Sequence, residues 1–280
     1  MMKRHPKHSV IPGFSMSMGL TLTYLGLIVI IPLSSLFIRA SGLSIQEMTD
    51  ILFTRRTLAA IFLSFGASLT AALINCFFGF LAAWVLVRYT FPGKFLIDAF
   101  VDLPFALPTA VAGISLTALY MHSGWIGRFF GIFGIQIAYT RLGVIIALTF
   151  IGLPFVIRTV QPVLSDMDRQ AEEAAISLGA SRWKTFIRVL MPEIYPALFT
   201  GFALAFARAI GEYGSVVFIS GNMPNRTEII PLLIMTRLEE YDYAGATVIA
   251  SFMLIVSFIL LLLINILQHQ GQRSQKVNCA

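Results

Sequence analysis

The chain has 280 residues, 57% of them hydrophobic and 12% charged, with a mean hydropathy of +0.82. That composition excludes a water-soluble domain and points to an all-α polytopic membrane protein. The net charge of +6 comes without a basic groove interleaved with aromatics, so no nucleic-acid partner is expected.

Residues 1–12 carry Lys3, Arg4 and Lys7 and are expected to form a disordered cytoplasmic tail. Residues 13–38 are the first predicted span, kinked at Pro32. Their apolar run is about twice the hydrophobic region of a secretory leader, and Arg39 sits badly for cleavage, so the segment is expected to be retained. Residues 41–57 are polar and external, with a small helix. Residues 58–87 hold no charge and form a second span long enough to cross with tilt. A turn over 88–94 leads to a third span, 103–121, interrupted by Pro104 and Pro108. Residues 122–141 are glycine-rich and external, with Trp125 and Tyr139 placed as interface aromatics. The fourth span is 142–157, with Pro154. A charged loop over about 165–192 precedes the fifth span, 195–220, which holds Arg208 and Glu212 well inside. Residues 221–242 are polar, 243–267 form the sixth span, and 268–280 are a polar cytoplasmic tail. The permease domain is therefore placed at 13–267.

With a cytoplasmic N-terminus, twelve basic residues fall on the inner side and seven on the outer, and all five lysines are inner. That bias predicts six spans with both ends inside. Cys76 lies in a span and Cys279 in the tail, so no disulfide is expected. The histidines share no metal-ligand spacing, and no nucleotide-binding, nucleophile-elbow or zinc-protease motif is present. No catalytic role, metal or cofactor is expected on this chain. If ATP drives it, another chain hydrolyses the ATP.

The inner loop reads as two short helices hinged at a glycine. Ala171, Ala174, Ala175 and Leu178 fall at i, i+3, i+4, i+7, with Arg169, Glu172 and Glu173 beside them. Arg169 and Glu173 form an i,i+4 pair. Gly179 breaks the run, Ser181 is a candidate N-cap, and Trp183, Phe186, Ile187 and Leu190 repeat the spacing until Pro192 ends the segment. A small-residue first helix lets a partner approach closely, and a bulky second stripe anchors the loop to its own protein. The plain alternative is an amphipathic helix lying on lipid.

Glu173-Ala174-Ala175, three residues, Gly179, nine residues, then Val189-x-Met191-Pro192 resembles the EAA loop of ATP-binding-cassette importer permeases. Val189 and Met191 stand where the family pattern has Ile and Leu, both volume-tolerant changes. Residues 206–222 resemble the fifth-span signature of sulfate, thiosulfate and molybdate permeases, and 81–94, 102–113 and 152–162 agree. The continuation Asn222-Met-Pro-Asn-Arg-Thr-Glu228 is closer to the T-type sulfate/thiosulfate subunits than to their W-type sisters. The likeness covers about residues 15 to 267.

The resemblance implies a type I importer transmembrane domain in the bacterial inner membrane. A W-type sister subunit would complete the pore. A dimeric cytoplasmic ATPase would carry the ATP and Mg, and an external sulfate/thiosulfate-binding protein would deliver the anion. Glu172, Glu173, Ala174, Ala175, Gly179, Ala180 and Pro192 would form the coupling element in the ATPase groove.

Charges inside a span cost about 2.5–3.5 kcal/mol each on insertion, which singles out Arg208 and Glu212. Spaced i,i+4, they can also simply neutralise each other within one helix. A dianion needs polar donors without one tight cationic trap. Ser64, Thr70, Asn75, Thr109, Ser215, Ser220 and Asn222 are the candidates along the path, and ordinary interhelical hydrogen bonding is the alternative for each. Other functions left open are a molybdate or tungstate importer and an ATP-independent secondary anion transporter. The latter would carry inverted repeats, and none is found.

Overall fold

The computed structural model describes residues 14–278, and the side chains of all of these except Arg169 and residues 267–278. The expected N-terminal tail, with Lys3, Arg4 and Lys7, and the C-terminal Cys279 lie outside the described residues. Among the described residues the regular structure is entirely helical.

The first helix, α1, covers Phe14–Ala40 and contains a π-helical turn at Gly26–Ile30. The small helix expected outside is α2, Ile45–Leu52, started by a capping box. Ser44 Oγ accepts from the Glu47 amide at 3.2 Å, and the Glu47 carboxylate accepts from the Ser44 amide at 2.8 Å. Then α3 runs from Arg55 to Arg88, capped by Thr54.

The third expected span is not one helix. A short helix α4 (Lys94–Val101) precedes it, and the span itself is divided between α5 (Leu103–Ala106) and α6 (Thr109–Tyr120). The reason is local: Pro108 drives Leu107 out of the helical region, to ψ 136°. Among the described residues five helices are long and apolar enough to cross a bilayer, and the expected third span is not one of them.

Beyond α7 (Trp125–Gly131), α8 spans Arg141–Asp166 and runs through both Pro154 and Pro162. The loop helix α9 is Arg169–Ser177. The next helix, α10, is continuous over Arg182–Ile210, which corrects the expectation that Pro192 ends a separate short helix. A π turn at Phe186–Leu190 widens the helix immediately before Pro192. The ring thus avoids the carbonyl four residues earlier, as the turn at Gly26–Ile30 does for Pro32. Short helices α11 (Gly214–Ser220) and α12 (Ile230–Glu239) follow. The last helix, α13, starts at Tyr243 and continues to Asn278, past the boundary expected at 267. Gln, Arg and Lys in that extension are adequate helix formers, and proline is missing from it.

The core is the packing of α3, α8 and α10. Ala72, Ala83 and Leu86 of α3 meet Val156, Ile157 and Val160 of α8 and Ile194 and Ala205 of α10. Small residues let these backbones approach closely, and dispersion then holds them where lipid is as apolar as protein. A second cluster nearer the start of α8 joins Ala67, Ala71, Val144, Leu148, Val216 and Ile219. By contrast, the most apolar stretch of α1 buries none of its residues and leans on α13. In a bilayer its side chains face hydrocarbon.

Candidate functional site

The charged loop expected on the inner side begins where α8 ends. Asp168 caps α9 by accepting from the Gln170 amide at 2.9 Å. At the other end the chain turns through Gly179, at φ +82°. The Ala180 amide donates to the Ala175 carbonyl at 3.0 Å and the Gly179 amide to Ile176 at 2.9 Å. This paired closure needs a left-handed residue, which is why glycine stands there. Ser181 then caps α10 through the Lys184 amide.

Sequence reasoning assigned the second limb to anchoring, and the structure divides that role. Leu190 is buried, and Phe186 packs on Trp84 and Phe80 of α3. Trp183, 69% exposed, and Ile187 stay open to the outside, with Ile176 and Leu178, the latter 89% exposed. Glu173 and Ala174 are also exposed, while Ala175 and Ala180 are half-buried. The bend thus presents a small-residue patch flanked by bulky apolar side chains and the exposed Glu173 carboxylate. Glu172 points the other way, into its own protein, where its Oε1 lies 2.5 Å from Arg88 Nη2. The expected Arg169–Glu173 pair rests on a side chain outside those described. Pro192 belongs to the wall of α10, inside the helix.

The second group of candidates gathers at a break after α10. The helix ends at Ile210, and Glu212 lies past it, so its ion pair with Arg208 (2.5 Å) bridges the break instead of closing within one helix as expected. The other carboxylate oxygen, Oε1, accepts from both the amide and the hydroxyl of Ser215 at 3.0 Å. Glu212 is 1% exposed. It therefore joins the last turn of α10 to the first turn of α11 by a charge and a cap. Against this knot lies α6. A methyl on Gly113 would sit 2.5 Å from the Ser215 carbonyl oxygen, and Thr109 Oγ1 fills the space beside Gly214.

The remaining path candidates do not join that cluster. Ser220 Oγ accepts from the Asn222 amide at 3.1 Å, and Asn222 Nδ2 donates to Thr236 at 3.3 Å. Ser64 caps α12 by accepting from the Ile230 amide at 2.7 Å. Thr70 donates to the Gly66 carbonyl beside an open cavity of about 340 Å³ that Arg141 also lines. Asn75 is buried in a different layer, where its Nδ2 would lie 2.5 Å from a methyl on Gly152.

Among the described residues, three long-range ion-paired links, centred on Arg56, Arg158 and Arg88, escaped the sequence. Arg56 grips the buried Glu228 with two hydrogen bonds, Nε to Oε2 at 2.8 Å and Nη2 to Oε1 at 2.7 Å. Arg158 of α8 holds Asp102 at 2.8 and 2.6 Å and Asp98 at 2.9 Å. Gln161 donates to Asp98 as well, at 3.0 Å, and with Arg158 it holds the Asp98 carboxyl below the usual carboxylate range. Arg88 with Glu172 is the third. The available signal was the set of stretches 81–94, 102–113, 152–162 and 222–228, each of which carries a member of one of these pairs.

Comparison with known proteins places this geometry. Residues 75–274 match the family described as "Binding-protein-dependent transport system inner membrane component". The "Probable sulfate transport system permease protein cysT" of Nephroselmis olivacea is 51% identical over 259 residues, covering 92% of this chain and 91% of that protein. The "Sulfate transport system permease protein CysT" of Escherichia coli (strain K12) is 45% identical over 264 residues, 94% of this chain and 95% of that one. Among solved structures, a bacterial ABC transporter involved in the import of the acidic polysaccharide alginate superimposes with a TM-score of 0.74 at 15% identity. It covers 92% of this chain and 94% of its own. The same kind of transporter in complex with an alginate pentasaccharide-bound periplasmic protein gives 0.73 at 17% identity, over 93% and 94%. The multi-pass fold is that of type I ABC importer permeases, and the chain belongs to the family of binding-protein-dependent transport system inner membrane components, alongside the CysT permeases.

Proposed function

We propose that this chain is the T-type permease subunit of an ATP-driven sulfate/thiosulfate importer. It forms half of the translocation pore beside a W-type sister, with both termini on the cytoplasmic side. The bent loop at α9 and the start of α10 docks into a dimeric ATPase, which binds the ATP and Mg, and this chain binds no cofactor. An external binding protein delivers the anion. ATP-driven closure of the ATPase shifts the spans only if ATP binds one spacing of the two loops better than the other.

The observation that carries this reading is the 51% identity to a sulfate permease over nine-tenths of both chains. The exposed patch of Glu173, Ala174, Leu178 and Trp183 around the Gly179 bend supports the docking role, since such a patch on a membrane protein's polar side needs a cover.

The test is labelled-sulfate uptake by the co-expressed assembly in proteoliposomes, with thiosulfate and molybdate as competitors. Uptake that requires ATP and the ATPase chain, and that thiosulfate suppresses before molybdate does, is the expected result. Uptake independent of the ATPase would refute the reading. Preferential competition by molybdate would move the substrate to the other oxyanions.

A further inference from the structure

The inner end of α3 carries Trp84 and Arg88, one turn apart and on one face. The Arg88 guanidinium lies over the Trp84 ring, 5.2 Å from its centre. From that seat Nη2 reaches Glu172 of α9 at 2.5 Å, and the Arg88 side chain is only 14% exposed. The edge of Trp84 meets Phe186 of α10 with ring centres 5.7 Å apart, and Phe186 stacks on Trp183 at the same separation. One end of one core helix thus touches both limbs of the bent loop, on either side of Gly179.

The two attachments are unlike. The α10 limb is continuous with a span and is packed by Phe186 and Leu190. None of the described side chains of α9 is fully buried, so apolar packing does not fix that limb. Among its described side chains Glu172, a quarter exposed and next to the exposed Glu173, forms an ion pair with a span. The backbone of α9 also packs against the first turns of α10 across the glycine bend, and the ion pair joins it to α3, so that a push on α9 has a direct route to the core.

We propose that Arg88, braced by Trp84, is a positioning residue that makes α9 move with α3, so that force applied to the loop reaches the α3–α8–α10 core through the Arg88–Glu172 ion pair. This rests on the importer reading above. Docking and transmission are then separate properties of the loop: Glu173 and the exposed patch meet the ATPase, and Glu172 passes the displacement inward.

The experiment uses the whole assembly in proteoliposomes and measures ATP hydrolysis and labelled-sulfate uptake together. Arg88→Gln leaves the exposed patch intact. It is expected to retain the ATPase on co-purification and to keep its hydrolysis within about twofold, while sulfate carried per ATP falls about fivefold or more. Arg88→Glu and Glu172→Arg should each fail in the same way, and the exchanged pair in one chain should recover most of the yield, which local damage alone would not allow. Equal yields for Arg88→Gln and the parent would overturn the strut. So would an exchanged pair no better than its singles. If the parent assembly itself transports without ATP, the importer reading falls and takes the strut with it. Parental coupling with unaffected variants removes the strut alone.

Discussion

Glu212 shows how one side chain can hold a helix break together. Its two oxygens serve different masters, Arg208 on one side and the first turn of α11 on the other. Truncation to alanine removes the cap and leaves the cation unanswered. Arg208 is 35% exposed and partly solvated, so the loss is expected to be about 1–3 kcal/mol, not that of a fully buried pair. Glu212→Gln keeps an oxygen for Ser215 and should fall between parent and alanine in unfolding midpoint in detergent. Arg208→Ala should cost more than Glu212→Gln, because it strands a carboxylate that solvent hardly reaches, and it should lower assembly or uptake. If Arg208→Ala melted with the parent, the pair would carry no stability. The i,i+4 spacing made this pair legible in the sequence. Ser215 was not legible as its third member, since its bond to Glu212 depends on the helix stopping at Ile210. The pairing of Arg56 with Glu228 was not legible, because 172 residues separate the partners, although the stretch 222–228 marked one of them.

At the scale of elements, the Gly179 bend was readable because few residues other than glycine tolerate φ +82°. Gly179→Pro is incompatible twice over: it demands a negative φ and deletes the amide that closes α9 onto Ile176. The variant is expected to insert and to leave the spans intact while uptake falls about tenfold or more. Glu173→Lys should do the same by charge alone, and normal uptake in either would remove the loop from the mechanism. What the sequence hid is how prolines act in context. Pro192 and Pro32 are absorbed by π turns, whereas Pro108 breaks its helix, and nothing in the residues beside them says which.

The Arg158 link between α8 and α4 makes a pH prediction. The Asp98 carboxyl is held below the usual range, first by the hydrogen bond from Gln161 and then by Arg158. A depressed carboxylate contributes stability above its unfolded pKa and loses it as pH falls through the folded one. Asp98→Asn should therefore lower the melting temperature at neutral pH. The gap to the parent should narrow below about pH 4 and close at still lower pH. The side chain is 41% exposed, so the gap is small even at its widest. A gap that widened on acidification would contradict the assignment.

At the scale of the whole molecule, the pieced third segment raises the question of which side of the membrane each loop occupies. A helix of twelve residues, Thr109–Tyr120, reaches only about 18 Å, short of a hydrocarbon layer of about 30 Å. We propose that the segment nevertheless completes the crossing beside α8. Asp102 is bound to Arg158, toward the end of α8. By Tyr139, whose amide donates to the Ile219 carbonyl at 2.7 Å, the chain has come to the start of α8 at Arg141. Arg158 and Arg141 are about 25 Å apart along that helix. The segment from Asp102 to Arg141 thus runs beside α8 over much of its length, which supports the reading of six crossings. With Cys76→Ala and Cys279→Ser as background, Ser123→Cys should react with a membrane-impermeant maleimide from outside. Lys184→Cys should react only after the membrane is opened. Reaction of both from one side would mean that the segment turns back, and would put the bent loop where no cytoplasmic ATPase could reach it.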